Sequence, residues 1–211
     1  MNDINAIIFD YDGIISESVN VKTKAFAKLY SKFGDEVVNK VINHHENNGG
    51  ISRFEKFKFY HENFLNIKID KMQIDKLSLE FSSIVLEKVI NSPYVNGAEL
   101  FIKNNYTKYD FHISTGTPEE EIQVILNRKK IRKYFKTVHG SPEKKYNHVS
   151  KILTENKYNP NNVVFIGDAL SDRDAARKNK INFIGRYTTS KEIKNEKYLI
   201  ENFNDLDKLL L

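Results

Sequence analysis

The chain has 211 residues, enough for one sizeable core with a small appended lobe, and its 40% hydrophobic and 29% charged residues are typical of a globular protein and not of a disordered one. It contains no cysteine, which excludes a disulfide framework and a thiolate metal site and fits a reducing compartment. The formal net charge of +5 is spread over scattered lysines without a dense basic tract, so we expect no nucleic-acid partner.

The first predicted element is a buried strand that ends in two aspartates. Ala6 to Phe9 form a short apolar run, and Asp10-Tyr11-Asp12-Gly13 follows directly. A carboxylate at the end of such a strand lies at the carboxyl edge of the sheet, where open α/β sheets bind ligands. Neighbouring carboxylates repel unless a cation lies between them or one takes a proton, so the segment indicates a metal-assisted site. The alternative is an Asp-rich turn.

Helices are predicted for the long segment that follows. One apolar face recurs at four-residue spacing from Val21 to Phe33, and a second extends from Met72 to Val89. The Asn47-Asn48-Gly49-Gly50 cluster predicts a loop between helices, and Ser92-Pro93 marks the return to the core. We therefore predict a core made of residues 1–15 and 92–211, interrupted by a helical insertion over residues 16–91. Hinges are expected near residues 16–18 and 91–94.

After the insertion, strands and helices alternate. Such alternation predicts an α/β fold with a doubly wound parallel sheet and right-handed crossovers. The predicted elements are a helix over Ala98–Lys103, a strand over Tyr109–Ser114, a helix beginning at Pro118, a strand over Thr137–His139, a helix over Tyr146–Glu155, a strand over Val163–Ile166, a helix over Asp172–Lys178 and a strand over Asn182–Gly185.

Three of these later strands also end in polar groups. The strand after the insertion runs into Ser114-Thr115-Gly116, and the loop after the next strand carries Lys144-Lys145. The strand that ends at Ile166 leads to Gly167-Asp168, with Asp172 one helical turn further along the same side. An acid pair, a hydroxyl, a lysine and a second acid pair therefore follow four strand ends in order.

In this order the four motifs resemble those of the haloacid dehalogenase (HAD) superfamily hydrolases of the phosphatase type. Asp10-Tyr11-Asp12-Gly13 matches the first motif, and Gly167-Asp168 with Asp172 matches the fourth. The second motif falls on Thr115 or Ser114, and the third on Lys145 or Lys144. The resemblance covers essentially the whole chain. It implies a Rossmann-like core, with the insertion as a small all-helical cap that closes over the active site.

The resemblance also implies how the residues divide the chemistry. Asp10 would attack phosphorus and form an aspartyl-phosphate, and Asp12 would protonate the leaving oxygen and then deprotonate the attacking water. Thr115 and the Gly116 amide would hold the phosphoryl oxygens. Lys145 would stabilise charge on the nucleophile and on the phosphoryl group.

The implied cofactor is Mg²⁺, which prefers oxygen ligands. Asp10 and Asp168 would give carboxylate oxygens and Asp12 its backbone carbonyl, while Asp172 would support the metal shell or orient the lysine. Asp174, two residues further on, is interpreted as a helix-surface acid.

Two motif positions have competing candidates. Counting back from Pro118 favours Thr115 over Ser114 in the phosphate-binding role. The Gly-Ser-Pro-x-x-Lys pattern of similar sequences favours Lys145 over Lys144.

Substrate choice is expected to depend on the cap. Gly50-Ile51-Ser52-Arg53 resembles a cap loop of beta-phosphoglucomutase-like members, in which the arginine contacts the far anionic end of the substrate. Arg53 is therefore a candidate substrate ligand, with a solvent-facing arginine as the alternative, and Lys56 could share the anion. His44 and His45 are expected to be surface polar groups. Lys22 occupies a position where mutase-like relatives often have a histidine that assists proton transfer. The lysine weakens the hypothesis that this protein is a phosphomutase.

Asp12 indicates the reaction class. A halide leaving group needs no proton and dehalogenating members lack this second acid, whereas an alcohol leaving group requires one. We therefore expect a Mg²⁺-dependent phosphatase acting on a small phosphorylated metabolite, such as a sugar phosphate or a phosphoglycolate-like acid. The alternatives are a phosphomutase of the beta-phosphoglucomutase type and a non-catalytic interaction protein with the same fold.

The sequence also predicts the setting in which the protein works. No apolar stretch approaches the roughly 20 residues that a membrane span requires, so we expect no membrane partner. The first residues are acidic, and the first apolar run is too short for the core of a secretory signal. We therefore expect a cytoplasmic protein that is a monomer or a weak dimer.

Overall fold

The computed structural model describes residues 3–187 and 193–210, arranged around a six-stranded sheet with the order β3-β2-β1-β4-β5-β6. All neighbouring strands are parallel. The predicted doubly wound parallel sheet is confirmed. The strands are β1 (Ala6–Phe9), β2 (Asp110–Pro118), β3 (Thr137–Ser141), β4 (Val163–Gly167), β5 (Asn182–Arg186) and β6 (Leu199–Ile200).

Strand β1 lies in the middle of the sheet and is fully buried. Ile7 and Phe9 face the larger of two hydrophobic cores, while Ala6 and Ile8 face the smaller one on the other side. Both faces of the sheet are covered, which explains why the strand is a continuous apolar run without polar alternation. Because the chain reverses its direction of winding at β1, the carboxyl ends of β1 and its neighbours border a crevice.

Helices separate and follow the strands. Those between β1 and β2 are α1 (Val19–Tyr30), α2 (Asp35–Asn47), α3 (Arg53–Phe64), α4 (Lys71–Ile90) and α5 (Ala98–Asn105). The later ones are α6 (Glu119–Arg128), α7 (Lys145–Asn156), α8 (Leu170–Lys178) and α9 (Leu206–Leu210). Within the described ranges, no helix combines the length and the apolar character that crossing a membrane requires.

Helices α1 to α4, here called the helical insertion, pack around buried aromatic side chains. Phe26 of α1 contacts Phe57 of α3 and Phe81 of α4, with ring centroids 5.7 and 4.4 Å away. Helix α4 begins at a capping box in which Asp70 accepts from the Gln73 amide at 2.8 Å. Met72, expected on the apolar face, is instead 75% exposed because it lies in the first turn, before the helix reaches the aromatic core.

The two segments that join the helical insertion to the sheet lie side by side. Ser16 and Tyr94 form an antiparallel bridge, and the Glu17 amide donates to the Pro93 carbonyl at 3.0 Å. The Val95 amide donates to Ile15 at 3.0 Å. Both segments expected to contain hinges therefore meet in one short two-stranded connection. Hinge motion and the exact domain boundaries remain predictions.

Candidate active site

Three acidic side chains from two neighbouring strand ends converge at the carboxyl edge of the sheet. Asp10 follows β1, and Asp168 and Asp172 follow β4, which pairs directly with β1. Phe9 is in register with Ile166, so the chain leaves both strands at the same level. One carboxylate oxygen of each acid lies within 4.8 Å of the other two. This group is called the carboxylate cluster.

Two glycines allow the carboxylate cluster to form. Gly13 has φ +78°, and a Cβ on it would lie 2.1 Å from Asp168 Oδ2. A Cβ on Gly167 would lie 2.3 Å from the Asp172 Cβ. Side chains at either position would therefore push an acid away from the site.

Lys145 supplies the positive charge of the cluster. Its Nζ lies 2.8 Å from Asp10 Oδ2 and donates to Asp172 Oδ1 at 2.5 Å. The other oxygen of Asp172 accepts from the Ala169 amide at 3.1 Å, so both of its oxygens are engaged. Lys144 is 58% exposed, and its ammonium lies 3.8 Å from Glu55. Of the two candidate lysines, the fold therefore brings Lys145 and not Lys144 to the acids.

Burial and mutual repulsion shift the protonation of these groups. Burial raises the pKa of Asp168 well above its usual value, and the nearby carboxylates of Asp10 and Asp172 raise it further. Burial likewise raises the pKa of Asp172 to about 7, although Lys145 acts in the opposite direction. Burial alone would lower the pKa of Lys145, but Asp10 and Asp172 raise it above its usual value.

The chemistry of the donor set fits a divalent cation. The two buried carboxylates of Asp10 and Asp172 and the half-buried carboxylate of Asp168 face one ammonium, and within the described part of the chain no lysine, arginine or histidine forms an ion pair with Asp168. An uncompensated buried carboxylate is unfavourable without a cation or a proton. Oxygen-only ligands are those that Mg²⁺ prefers, so Asp10 and Asp168 are suited to hold that ion.

The hydroxyl candidates on β2 face different surroundings. Thr115 and Gly116 line the cavity next to Asp10. Ser114 is hydrogen-bonded to His148 Nδ1 at 3.0 Å, away from the cavity. Because successive side chains of a strand point to opposite faces, only one of the two hydroxyls can face the acids. Thr115 is the one that does.

Asp12 is held by three partners, none of which we predicted. The Ser18 hydroxyl donates to Oδ1 at 2.6 Å, and Thr117 Oγ1 donates to Oδ2 at 3.1 Å. The Lys22 ammonium forms an ion pair with Oδ2 and donates to Thr117 Oγ1 at 2.7 Å. Burial acts to raise the pKa of Asp12, but Lys22 and the two hydroxyls together lower it.

A cavity of about 410 Å³ lies between the strand ends and the helical insertion. The loop after α2 closes one side of it. The Ser171 hydroxyl donates to the Gly49 carbonyl at 3.2 Å, and a Cβ on Gly116 would lie 2.6 Å from the Gly50 carbonyl oxygen. The insertion residues that border the cavity include Phe26, His45, Arg53, Lys56 and Phe81.

The whole arrangement matches a known family. The model of the haloacid dehalogenase-like hydrolases matches residues 7–186. The chain belongs to this family. A search of curated proteins found no significant match.

Solved structures share the fold of this haloacid dehalogenase-like hydrolase. A haloacid dehalogenase-like hydrolase from Streptococcus pneumoniae is 19% identical, with a TM-score of 0.75 and 99% of each chain covered. A predicted phosphoglycolate phosphatase from Haemophilus somnus is 16% identical, with a TM-score of 0.77 and 99% of each chain covered. A beta-phosphoglucomutase from Clostridium difficile is 21% identical, with a TM-score of 0.77 over 96% of this chain and 93% of that chain. At these identities the likeness shows the fold alone.

Arg53 of this hydrolase is neither solvent-facing nor free. It is 4% exposed, and its guanidinium forms a two-point salt bridge with Glu121 of α6. The solvent-facing alternative is therefore wrong, because α3 packs this side chain between Phe81 and the core. Ser82 of α4 accepts from the same guanidinium at 2.7 Å.

Two expectations about the histidines also fail. His45 is 8% exposed, because α2 turns it toward Phe26 and the Lys56 ammonium, which lies 2.7 Å from its Nδ1. His44 is half-buried and stacks on Phe59 with the ring centroids 4.2 Å apart. Neither is a simple surface group. Lys56 is only 2% exposed.

Sequence reasoning missed the side chains that surround the second aspartate of the first motif. Thr117 lies two residues beyond Thr115 and therefore on the same side of β2, a spacing that could have indicated it. Ser18 carries no local signal, because a serine before a helix is an ordinary capping residue. The same holds for Glu121, the partner of Arg53, because an acid in the first turn of a helix is equally common. Asp174 is 62% exposed and paired with Arg173, as expected for a surface acid.

Proposed function

We propose that this protein is a Mg²⁺-dependent phosphatase that hydrolyses a small phosphorylated metabolite through an aspartyl-phosphate on Asp10. One observation carries the proposal: the carboxylates of Asp10, Asp168 and Asp172 meet within 4.8 Å, next to the Lys145 ammonium and at the wall of a 410 Å³ cavity. A phosphoryl group bound there would meet a nucleophile and a fixed cation together. The cavity suits a ligand such as a sugar phosphate or a phosphoglycolate-like acid.

The first half of the reaction transfers the phosphoryl group to Asp10. A carboxylate oxygen of Asp10 attacks phosphorus, an O–P bond to the enzyme forms, and the O–P bond to the alcohol breaks. Thr115 and the Gly116 amide hold the phosphoryl oxygens, and Lys145 stabilises the negative charge on both partners. Mg²⁺, held by Asp10, Asp168 and the Asp12 carbonyl, would reduce the repulsion between nucleophile and phosphate.

Asp12 handles the proton in both halves. Because Lys22 and the two hydroxyls lower its pKa, Asp12 would first take the proton of the monoanionic phosphate ester and then donate it to the leaving alkoxide in the first half. In the second, it takes a proton from the water that attacks phosphorus, and the bond to Asp10 breaks. Ser18, Thr117 and Lys22 fix the carboxyl in one orientation. We propose that Asp172, with both oxygens engaged, orients Lys145.

The test is phosphate release from a panel of phosphorylated metabolites with and without Mg²⁺. We expect Mg²⁺-dependent release by the wild type and a loss of at least about 1,000-fold in Asp10→Asn, as for removal of other catalytic nucleophiles. Asp174→Asn is the matched control, because Asp174 is an exposed acid of α8, and this variant should keep full activity. Release without Mg²⁺, or equal release by Asp10→Asn, contradicts the proposal. Isomerised phosphorylated product without phosphate release indicates a mutase.

A further inference from the structure

Lys56 of α3 is a buried ammonium without a carboxylate partner. Its side chain is 2% exposed and borders the cavity. Its polar partner is His45 Nδ1 at 2.7 Å, and the Phe26 ring centroid lies 5.7 Å away. Over residues 3–187 and 193–210, no acid forms an ion pair with this ammonium. A buried charge is normally paired, so the absence of an acid here needs an explanation.

The other cations that the described residues place around the cavity already have acidic partners. Arg53 is paired with Glu121 at 2.6 Å, and Lys22 is paired with Asp12. The remaining cation of the site, Lys145, is bound within the carboxylate cluster. Lys56 therefore keeps the positive charge that is available to an incoming ligand at the insertion side of the cavity.

The surroundings of Lys56 disfavour its charge in the absence of a ligand. Burial, together with the Lys22 and Lys145 ammoniums, lowers the pKa of Lys56 to about 7. Burial and Lys56 itself lower the pKa of His45 to about 2, so the ring is neutral and its Nδ1 accepts from Lys56. Glu46 also borders the cavity, but its side chain is exposed to solvent. An anion beside Lys56 would provide the missing opposite charge, and the aromatic walls would strengthen the attraction.

We infer that Lys56, oriented by His45, forms an anion subsite in the helical insertion, and that the substrate carries a second anionic group besides its phosphate ester. This inference rests on the proposed function and refines it. Asp10 and Asp168 of the carboxylate cluster line the same cavity as Lys56, so one small molecule can contact both groups. The subsite replaces Arg53, whose planar fork is occupied by Glu121, as the group expected to bind the far anionic end.

The test compares three phosphate esters with matched reacting ends. Phosphoglycolate carries a carboxylate as its second anionic group, propane-1,3-diyl bisphosphate carries a second phosphate, and ethyl phosphate carries no second anionic group. We expect Lys56→Met to lower kcat/KM by about 30-fold or more for at least one of the two probes that carry a second anionic group, mainly through KM. The affected probe identifies the second anion. Ethyl phosphate should change by less than about 3-fold.

Lys58→Met is the control, because Lys58 lies two residues further along α3 and is 61% exposed. It should leave all three substrates unchanged. Equal losses of Lys56→Met on all three esters, or no loss on any, overturn the subsite. Lys56→Gln replaces Lys56→Met if the methionine variant does not fold, and Lys56→Arg should retain the preference for a second anion.

Binding separates this inference from the proposed reaction. Calorimetry on Asp10→Asn with Mg²⁺ should show phosphoglycolate or the bisphosphate binding about 10-fold more tightly than ethyl phosphate. The advantage should disappear in Asp10→Asn/Lys56→Met. If no ester is hydrolysed by the wild type but this advantage exists and depends on Lys56, the proposed function fails and the subsite stands. If no advantage exists, the subsite fails.

Discussion

Arg53 and Glu121 connect the helical insertion to the core through a buried two-point salt bridge. Arg53 Nη2 donates to Glu121 Oε1 at 2.6 Å, and Nη1 donates to Oε2 at 2.9 Å. Ser82 donates to Glu121 Oε2 at 2.5 Å, so three helices meet at one carboxylate. The side chains are 3% and 7% exposed. The bridge therefore helps to hold the insertion against α6 of the core.

Glu121→Gln should loosen the contact between the helical insertion and the core. The substitution leaves a buried guanidinium without its counter-charge, and breaking one partner of a buried pair costs about 3–5 kcal/mol. We expect the free energy of unfolding in urea to fall by that order and hydrogen exchange in α3 to accelerate. Glu120→Gln is the control: it removes the exposed acid that precedes Glu121 and should change the free energy of unfolding by less than about 0.5 kcal/mol. Unchanged exchange in α3 would argue against a link between insertion and core.

Lys22→Met should impair proton transfer by Asp12. Lys22 contacts both Asp12 and Thr117, so its loss frees the carboxyl to rotate. We expect kcat to fall by about 10–100-fold with an alkyl phosphate, a part of what a complete general acid supplies. With 4-nitrophenyl phosphate, whose leaving group needs little protonation, the loss should be smaller. Lys24→Met on the exposed face of α1 is the control, and equal losses on both esters would refute the positioning role.

The four motif segments could be predicted from the sequence because each follows an apolar strand. In a parallel sheet every strand that ends in a polar group delivers that group to one edge. Asp10, Thr115, Lys145 and Asp168 meet for this reason, and the local pattern around each contains the necessary signal. Even the alternation along β2, which separates Ser114 from Thr115, is a local property of a strand.

Contacts made by the helical insertion could not be predicted in this way. Arg53 and Glu121 are far apart in the chain, and an acid in the first turn of a helix ordinarily interacts with the helix dipole at the surface. His45 and Lys56 are charged or polar residues of amphipathic helices, which usually face water. Their burial depends on how α2 and α3 are oriented over the sheet, and that orientation is set by the aromatic core around Phe26.

Buried histidines should make the fold sensitive to mild acid, and His112 and His148 are two of them that lie outside the cavity lining. Burial lowers the pKa of His112 to about 4, and burial with His139 and Lys145 lowers that of His148 to about 3. In the unfolded chain both titrate near about 6.5. Below that pH the unfolded state binds protons that the folded state does not, so stability is lost as the pH falls from about 6.5 toward 4.

Urea titrations between pH 7 and 5, in EDTA, measure this loss as the difference between the wild type and histidine variants, because the raised pKa values of Asp168 and Asp172 give the wild-type curve an opposing slope. Each histidine should contribute a slope of up to about 1.4 kcal/mol per pH unit. His112→Gln should remove its share, and the double variant with His148→Gln should flatten the curve further. An unchanged slope in both variants would assign the acid sensitivity to other groups.

Asp168→Asn should stabilise the metal-free protein and abolish its response to Mg²⁺. Asp168 is half-buried beside two other carboxylates and has no ion-pair partner among the described residues, so its charge opposes folding near pH 7. Removing that charge should raise the free energy of unfolding by about 1–2 kcal/mol in EDTA, as is common for sites that carry functional strain.

The wild type should instead gain stability as Mg²⁺ is added, because a ligand that binds only the folded state stabilises it by mass action. Asp174→Asn, whose side chain is 62% exposed, should behave like the wild type in both conditions. The carboxylate cluster does not hold the ion if Mg²⁺ leaves the melting temperature of the wild type unchanged. The same conclusion follows if Mg²⁺ still raises the melting temperature of Asp168→Asn.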